Sequence, residues 1–142
     1  MHVTDLRVNQ LLGIQLAPPE SPHLLELPDS PVLRNHVGTV HASMLFALAE
    51  ACSGEFLLQH LGERQAQVFA VLRASSTKFR RPAIGALTAK ARFQSTDPSA
   101  LLHELDARGR VVVAIDVDAS DASAVVVMSG QFDWFLQVQR SE

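Results

Sequence analysis

From His41 the chain reads HASMLFALAEACSGEFLLQHLG, in which Met44, Leu45, Leu48, Ala49, Cys52, Phe56 and Leu57 recur largely at spacings of three and four. Ala, Leu, Met and Glu favour helix, so this period predicts one long helix over roughly residues 41–61, stopped by Gly62. Phe46, Ala47, Ala51 and Leu58 spread apolar surface over much of the remaining circumference. Such a helix has to be wrapped by a sheet or covered on a second side.

The flanking segments alternate instead. Val68 to Thr77 is rich in β-formers; Leu87, Ala89, Ala91 and Phe93 oppose Thr88, Lys90 and Arg92 with period two; Val111, Val113, Ile115 and Val117 share one strand face. Ala124 to Phe135 is a further long strand after an Asp118–Asp121 turn. Leu11–Leu16 and His23–Leu27, separated by APPESP, read as two short strands joined by a rigid turn. Pro28, Pro31 and Gly38 mark a loop, and Pro98 to Asp106 a short surface helix with Leu101, Leu102 and Leu105 on the sheet. The expected architecture is α+β: one domain over residues 1–142, five or six mostly antiparallel strands curved around one principal helix. Neither a βαβ alternation nor a glycine-rich nucleotide loop is present.

Composition narrows the function classes. With 47% apolar and 19% charged residues the chain is of ordinary globular make-up, and its apolar runs are far shorter than the ~20 residues a bilayer span requires. The first residues, MHVTDLRVNQLLG, lack a basic leader and a continuous apolar core, so a cytoplasmic location is expected. Cys52 is alone, and no two histidines have HExxH spacing, so no structural metal is expected. The net charge of −3 is uneven: residues 64–96 carry seven basic residues and no acid, including Lys78, Arg80 and Arg81. Such a patch attracts phosphates or guards a sheet edge, whereas overall acidity argues against nucleic acid.

Glu50 is the anomaly of the helix. Its neighbours at three and four positions are Phe46, Ala47, Ser53 and Gly54, so its carboxylate rises from a surface with little other charge. A carboxylate in such a place is functional, reaches solvent, or joins a structural network. Backbone N–H groups near Ala42 and Ser43 are free of intrahelical acceptors and suit a carbonyl oxygen that becomes an oxyanion. Ala42 and Glu50 stand ~12 Å apart along one helix axis, so one helix cannot bring both to one carbonyl. Two such helices antiparallel across a two-fold axis can, which calls for a homodimer with two shared sites.

The string Asn35-His36-Val37-Gly38-Thr39-Val40-His41-Ala42-Ser43, followed by Glu50 and then Phe79-Arg80-Arg81-Pro82-Ala83, resembles the hotdog-fold thioesterases, particularly the phenylacetate-pathway type and its uncharacterised relatives. The resemblance spans nearly residues 9–138. It implies a hotdog fold, a continuous sheet across paired protomers, and acyl-thioester sites between them. It places Glu50 at the general-base or nucleophile position, Asn35 where water or the thioester is oriented, Ala42 where a backbone N–H meets the substrate carbonyl, and His41 in support of the helix start. Ala42-Ser43 replaces the family's Gly-Gly, and Glu50 its commoner Asp.

The leading expectation is therefore an acyl-CoA thioesterase that requires no cofactor, with coenzyme A as part of the substrate and Lys78, Arg80 or Arg81 near its phosphates. It is expected as a homodimer or dimer of dimers. The alternatives are a non-catalytic acyl or acyl-CoA binding protein, a purely structural dimerisation module, and a related hotdog dehydratase.

Overall fold

The computed structural model describes residues 1–139; residues 140–142 of the expected domain lie outside the described part. The long helix α2 runs Ala42–Leu61, as the period of its apolar residues predicts, and a 3-10 turn over Gly62–Gln67 leads out of it. The other α-helices among the described residues are α1 (Arg7–Leu12) and α3 (Pro98–Arg108), and 3-10 turns lie at Val3–Asp5 and Pro31–Leu33. The strands are β1 (Gln15–Leu16), β2 (Leu25–Leu27), β3 (Val68–Phe79), β4 (Leu87–Phe93), β5 (Arg110–Ser120) and β6 (Val126–Val138).

All six form one antiparallel sheet in the order β1-β2-β4-β5-β6-β3. Period-two alternation sends Val113, Ile115, Val117 and Ala119 of β5 inward, together with Phe132 and Leu136 of β6, and α2 lies across this face. Leu45, Leu48, Ala49, Cys52 and Leu57 of the helix are buried against it. Leu101 and Leu105 of α3 join the same core, as their spacing predicts.

Strand β3 is an edge. Eleven of its twelve residues pair with β6, the one strand beside it among the described residues, and Arg73 is bulged out between Leu72 and Ala74. Ser75, Thr77 and Phe79 pair with Phe132, Gly130 and Met128, so they belong to the helix-facing side of the sheet. Yet Ser75 is exposed and Phe79 is 48% exposed, so α2 leaves this margin of the concave face uncovered.

Two expectations are corrected. Leu11–Leu16 is not a strand: Leu11 and Leu12 end α1, and only Gln15–Leu16 pairs with β2. Gly13, in the left-handed region with φ 83°, closes α1 by donating its N–H to the carbonyls of Asn9 and Gln10. Asp118–Ser120 still belongs to β5, and the turn before β6 begins at Asp121, whose carboxylate accepts from the N–H groups of Ser123 and Val125.

Candidate functional site

The loop before α2 is organised by Asn35. Its Oδ1 accepts from the backbone N–H groups of Val37 and Thr39 (3.0 and 3.1 Å), and its Nδ2 donates to Thr39 Oγ1 (2.8 Å). Gly38 takes φ 82° inside this turn, a conformation with a steric cost for residues bearing a Cβ. The loop is pinned to its neighbours by Val40 N–H to Ala83 O and His41 N–H to Leu33 O, both 2.8 Å. One amide hydrogen of Asn35 is left for a further acceptor.

His41 caps the helix. Its Nδ1 accepts from the backbone N–H of Ser43 at 3.1 Å, with Ser43 Oγ 2.6 Å from the same nitrogen. That acceptor role leaves the ring proton on Nε2. The N–H of Ala42, next in line, has no acceptor among the described residues, and Ala42 is exposed. It is an unsatisfied donor at the positive end of a twenty-residue helix.

Ala42 shares a cavity of about 260 Å³ with Asn35, Thr39, Phe79, Arg80 and Arg81. Arg80 also borders a second cleft, of about 650 Å³, together with Lys78, Arg92, Asp116 and Asp118. The structure thus brings Asn35, Ala42, Arg80 and Arg81 to one place and sets Lys78 round the sheet edge from it. Arg80 Nε donates to Ser129 Oγ (2.8 Å), and Arg92 is paired with Asp118 (3.1 Å). Lys78 and Arg81 have no ion-pair partner among the described residues.

Glu50 lies two turns along α2, outside that cavity. It is half-buried, and burial raises its carboxyl above the usual glutamate value. Its carboxylate has no hydrogen-bond or ion-pair partner among the described residues. Ser53 Oγ donates to its backbone carbonyl at 2.7 Å and in turn accepts from Trp134 Nε1 at 2.9 Å, which holds this turn of the helix on β6. One turn earlier, the Phe46 ring meets Phe132 with centroids 5.6 Å apart. Glu50 therefore stands on the helix side that borders β6 and the uncovered margin of β3.

Sequence reasoning missed a second acid. Glu55 is fully buried; its Oε2 accepts the backbone N–H of Val3 at 2.9 Å and its Oε1 lies 2.6 Å from His2 Nδ1. The available signal was its helical neighbourhood of Ala51, Cys52, Leu58 and Gln59, with as little charge as that of Glu50. Cys52 beneath it is buried, and burial, helped by the Glu55 charge, pushes its thiol up to about 12, which makes it a packing residue. No group of three or more metal-ligating side chains occurs among the described residues, and none of the described helices is long and apolar enough to cross a membrane.

A family model described as Domain of unknown function (DUF4442) matches residues 19–136. The chain belongs to the DUF4442 family. This DUF4442 chain matches no curated protein. Among solved structures it resembles a Pseudomonas aeruginosa protein of unknown function described as a probable thioesterase, with a TM-score of 0.80 and 24% identity over 96% of this chain and 91% of that one. A Bacillus halodurans protein crystallised with CoA gives 0.68 and 16%, covering 91% and 74%. A Ralstonia eutropha phenylacetic acid degradation-related protein gives 0.66 and 20%, covering 90% and 88%. At these identities the likeness is one of fold, and the expected hotdog fold is the fold of this DUF4442 domain.

Proposed function

We propose that this protein is an acyl-CoA thioesterase that works as a homodimer. The observation that carries the reading is Glu50: a half-buried carboxylate with a raised pKa and no partner among the described residues, on the open side of a helix whose first N–H has no acceptor among them either. In the reaction, Glu50 takes a proton from water, the oxygen attacks the thioester carbonyl, and the Ala42 N–H donates to the oxyanion. Collapse of that intermediate expels the coenzyme A thiolate, which takes up a proton, and leaves the carboxylic acid.

Because Ala42 and Glu50 of one helix stand ~12 Å apart, the site is completed by a second copy. The long unpaired edge of β3 and its uncovered concave margin are where that copy joins: strand pairing there satisfies the free backbone groups and covers Phe79. Arg80 and Arg81 line the Ala42 cavity and Lys78 joins Arg80 in the neighbouring cleft, so these cations are the groups that would meet the coenzyme A phosphates. The CoA held by the Bacillus halodurans relative fits this reading. No resident cofactor is required.

One observation favours the binding-only alternative: Asn35 spends its Oδ1 and one amide hydrogen on its own loop, which leaves little to orient water. The test is steady-state hydrolysis of short, medium, long and aromatic acyl-CoAs by wild type and Glu50→Gln, with sedimentation and thermal unfolding on the same preparations. Glu50→Gln is expected to stay folded and dimeric, to bind acyl-CoA, and to lose ~10²–10⁴-fold in kcat. Near-normal turnover removes the assigned chemistry. Tight binding without wild-type turnover selects the binding protein, and a stable monomer removes the shared site.

A further inference from the structure

The side of α2 that carries Glu50 is divided in two. Ser43, Phe46, Ala47, Glu50, Ser53, Gly54, Leu57 and Leu61 follow one another at spacings of three and four along it. Ser43 is exposed and Phe46, Ala47 and Glu50 are half-buried, but from Ser53 onward every one of them is buried. The change comes within one turn, ~6 Å, of Glu50.

What covers Ser53 and Gly54 is the N-terminal strap, the 3-10 turn Val3–Asp5 that leads into α1, together with Trp134. Gly54 makes room for it. A Cβ at position 54 would lie 3.3 Å from Val3 Cγ1 and 3.5 Å from the Trp134 ring, so Val3 and the indole occupy the space a side chain there would take. The strap is held from beneath by Glu55, through the Val3 N–H and His2, and braced by Asn9, whose Nδ2 donates to Val3 O at 2.8 Å. Trp134 is fixed by its bond to Ser53.

We propose that Val3, backed by Trp134, is the wall that ends the acyl groove one turn beyond Glu50, so that the strap sets the length of acyl chain accepted. The inference rests on the thioesterase reading and extends it to substrate selection. A thioester whose carbonyl sits at Glu50 has its acyl group along this apolar side of the helix, where the first fixed obstacle is Val3. Glu55 touches no substrate; it is a positioning residue that keeps the wall in place.

The experiment measures binding and kcat/KM for straight-chain acyl-CoAs from short to long with wild type, Val3→Ala and Val3→Leu, each checked by thermal unfolding. Val3→Ala shortens the wall and is expected to raise kcat/KM for chains just beyond the wild-type optimum by about tenfold. Val3→Leu is expected to move the optimum to shorter chains. Opposite shifts are the signature, because loss of stability alone drives both variants the same way. An unchanged length profile in both variants, or equal losses at every length, overturns the wall and leaves the thioesterase reading standing. A wild type that neither binds nor hydrolyses any chain length overturns both.

Discussion

The backbone N–H of Val3 reaches across the fold to Glu55 Oε2 at 2.9 Å, which ties the first turn of the chain to the middle of its central helix. The Glu55 side chain is 1% exposed and its His2 partner 53% exposed, so the acid is wholly enclosed while its partner stays in contact with water. Glu55→Ala strands the Val3 N–H and leaves a void beside Cys52. The expected cost is ~2–4 kcal/mol in urea unfolding, with faster amide exchange at residues 3–12 than elsewhere. Glu55→Gln keeps an acceptor for Val3 and should cost less. Equal stability of Glu55→Ala and wild type would show that the strap is not held this way.

On the proposed thioesterase reading, Glu50 would tie activity to pH in a definite direction. Burial raises its folded-state pKa above the unfolded value, so the ionised form penalises the native state at neutral pH and the penalty disappears as pH falls through the raised pKa. Hydrolysis is expected to climb with pH through a single ionisation above the ordinary glutamate value. Glu50→Gln removes the penalty, so its melting temperature should exceed that of wild type at pH 7 and the gap should close in acid. A Glu50→Gln protein that is less stable at pH 7 and no more stable in acid would argue against a partnerless Glu50.

Lys78 and Arg81, free of ion-pair partners among the described residues, are the cations to reverse, since Arg80 also bonds to Ser129. Lys78→Glu with Arg81→Glu is expected to raise KM for acyl-CoA ~10-fold or more in low salt, and much less for a short thioester without the nucleotide. Salt at 0.5 M should shrink the difference, as screening demands. Equal losses for both substrates would place the damage in the fold.

The helix Ala42–Leu61 and strands β3 to β6 were legible in the sequence, because each is specified by the period of its own apolar residues, and the sheet they build buries the faces those periods mark. Glu50 was legible too, as a charge among Phe46, Ala47, Ser53 and Gly54. The N-terminal segment was not. Leu11 to Leu16 is a short apolar stretch that resembles a strand, but Leu11 and Leu12 complete a helix that Gly13 closes and that Asn9 anchors to Val3, which leaves only Gln15 and Leu16 to pair. Glu50 and Glu55 sit in similarly apolar stretches of the same helix, yet one has no partner among the described residues and the other is enclosed with His2, Val3 and Gln59 around it. Local period and composition make α2 a helix, but its apolar residues run round most of the circumference. Only the tertiary structure decides which acid is enclosed, because, apart from Gln59 one turn along the helix, the groups that bond Glu55 lie more than fifty residues away in the chain and reach it only once the strap has folded over the helix.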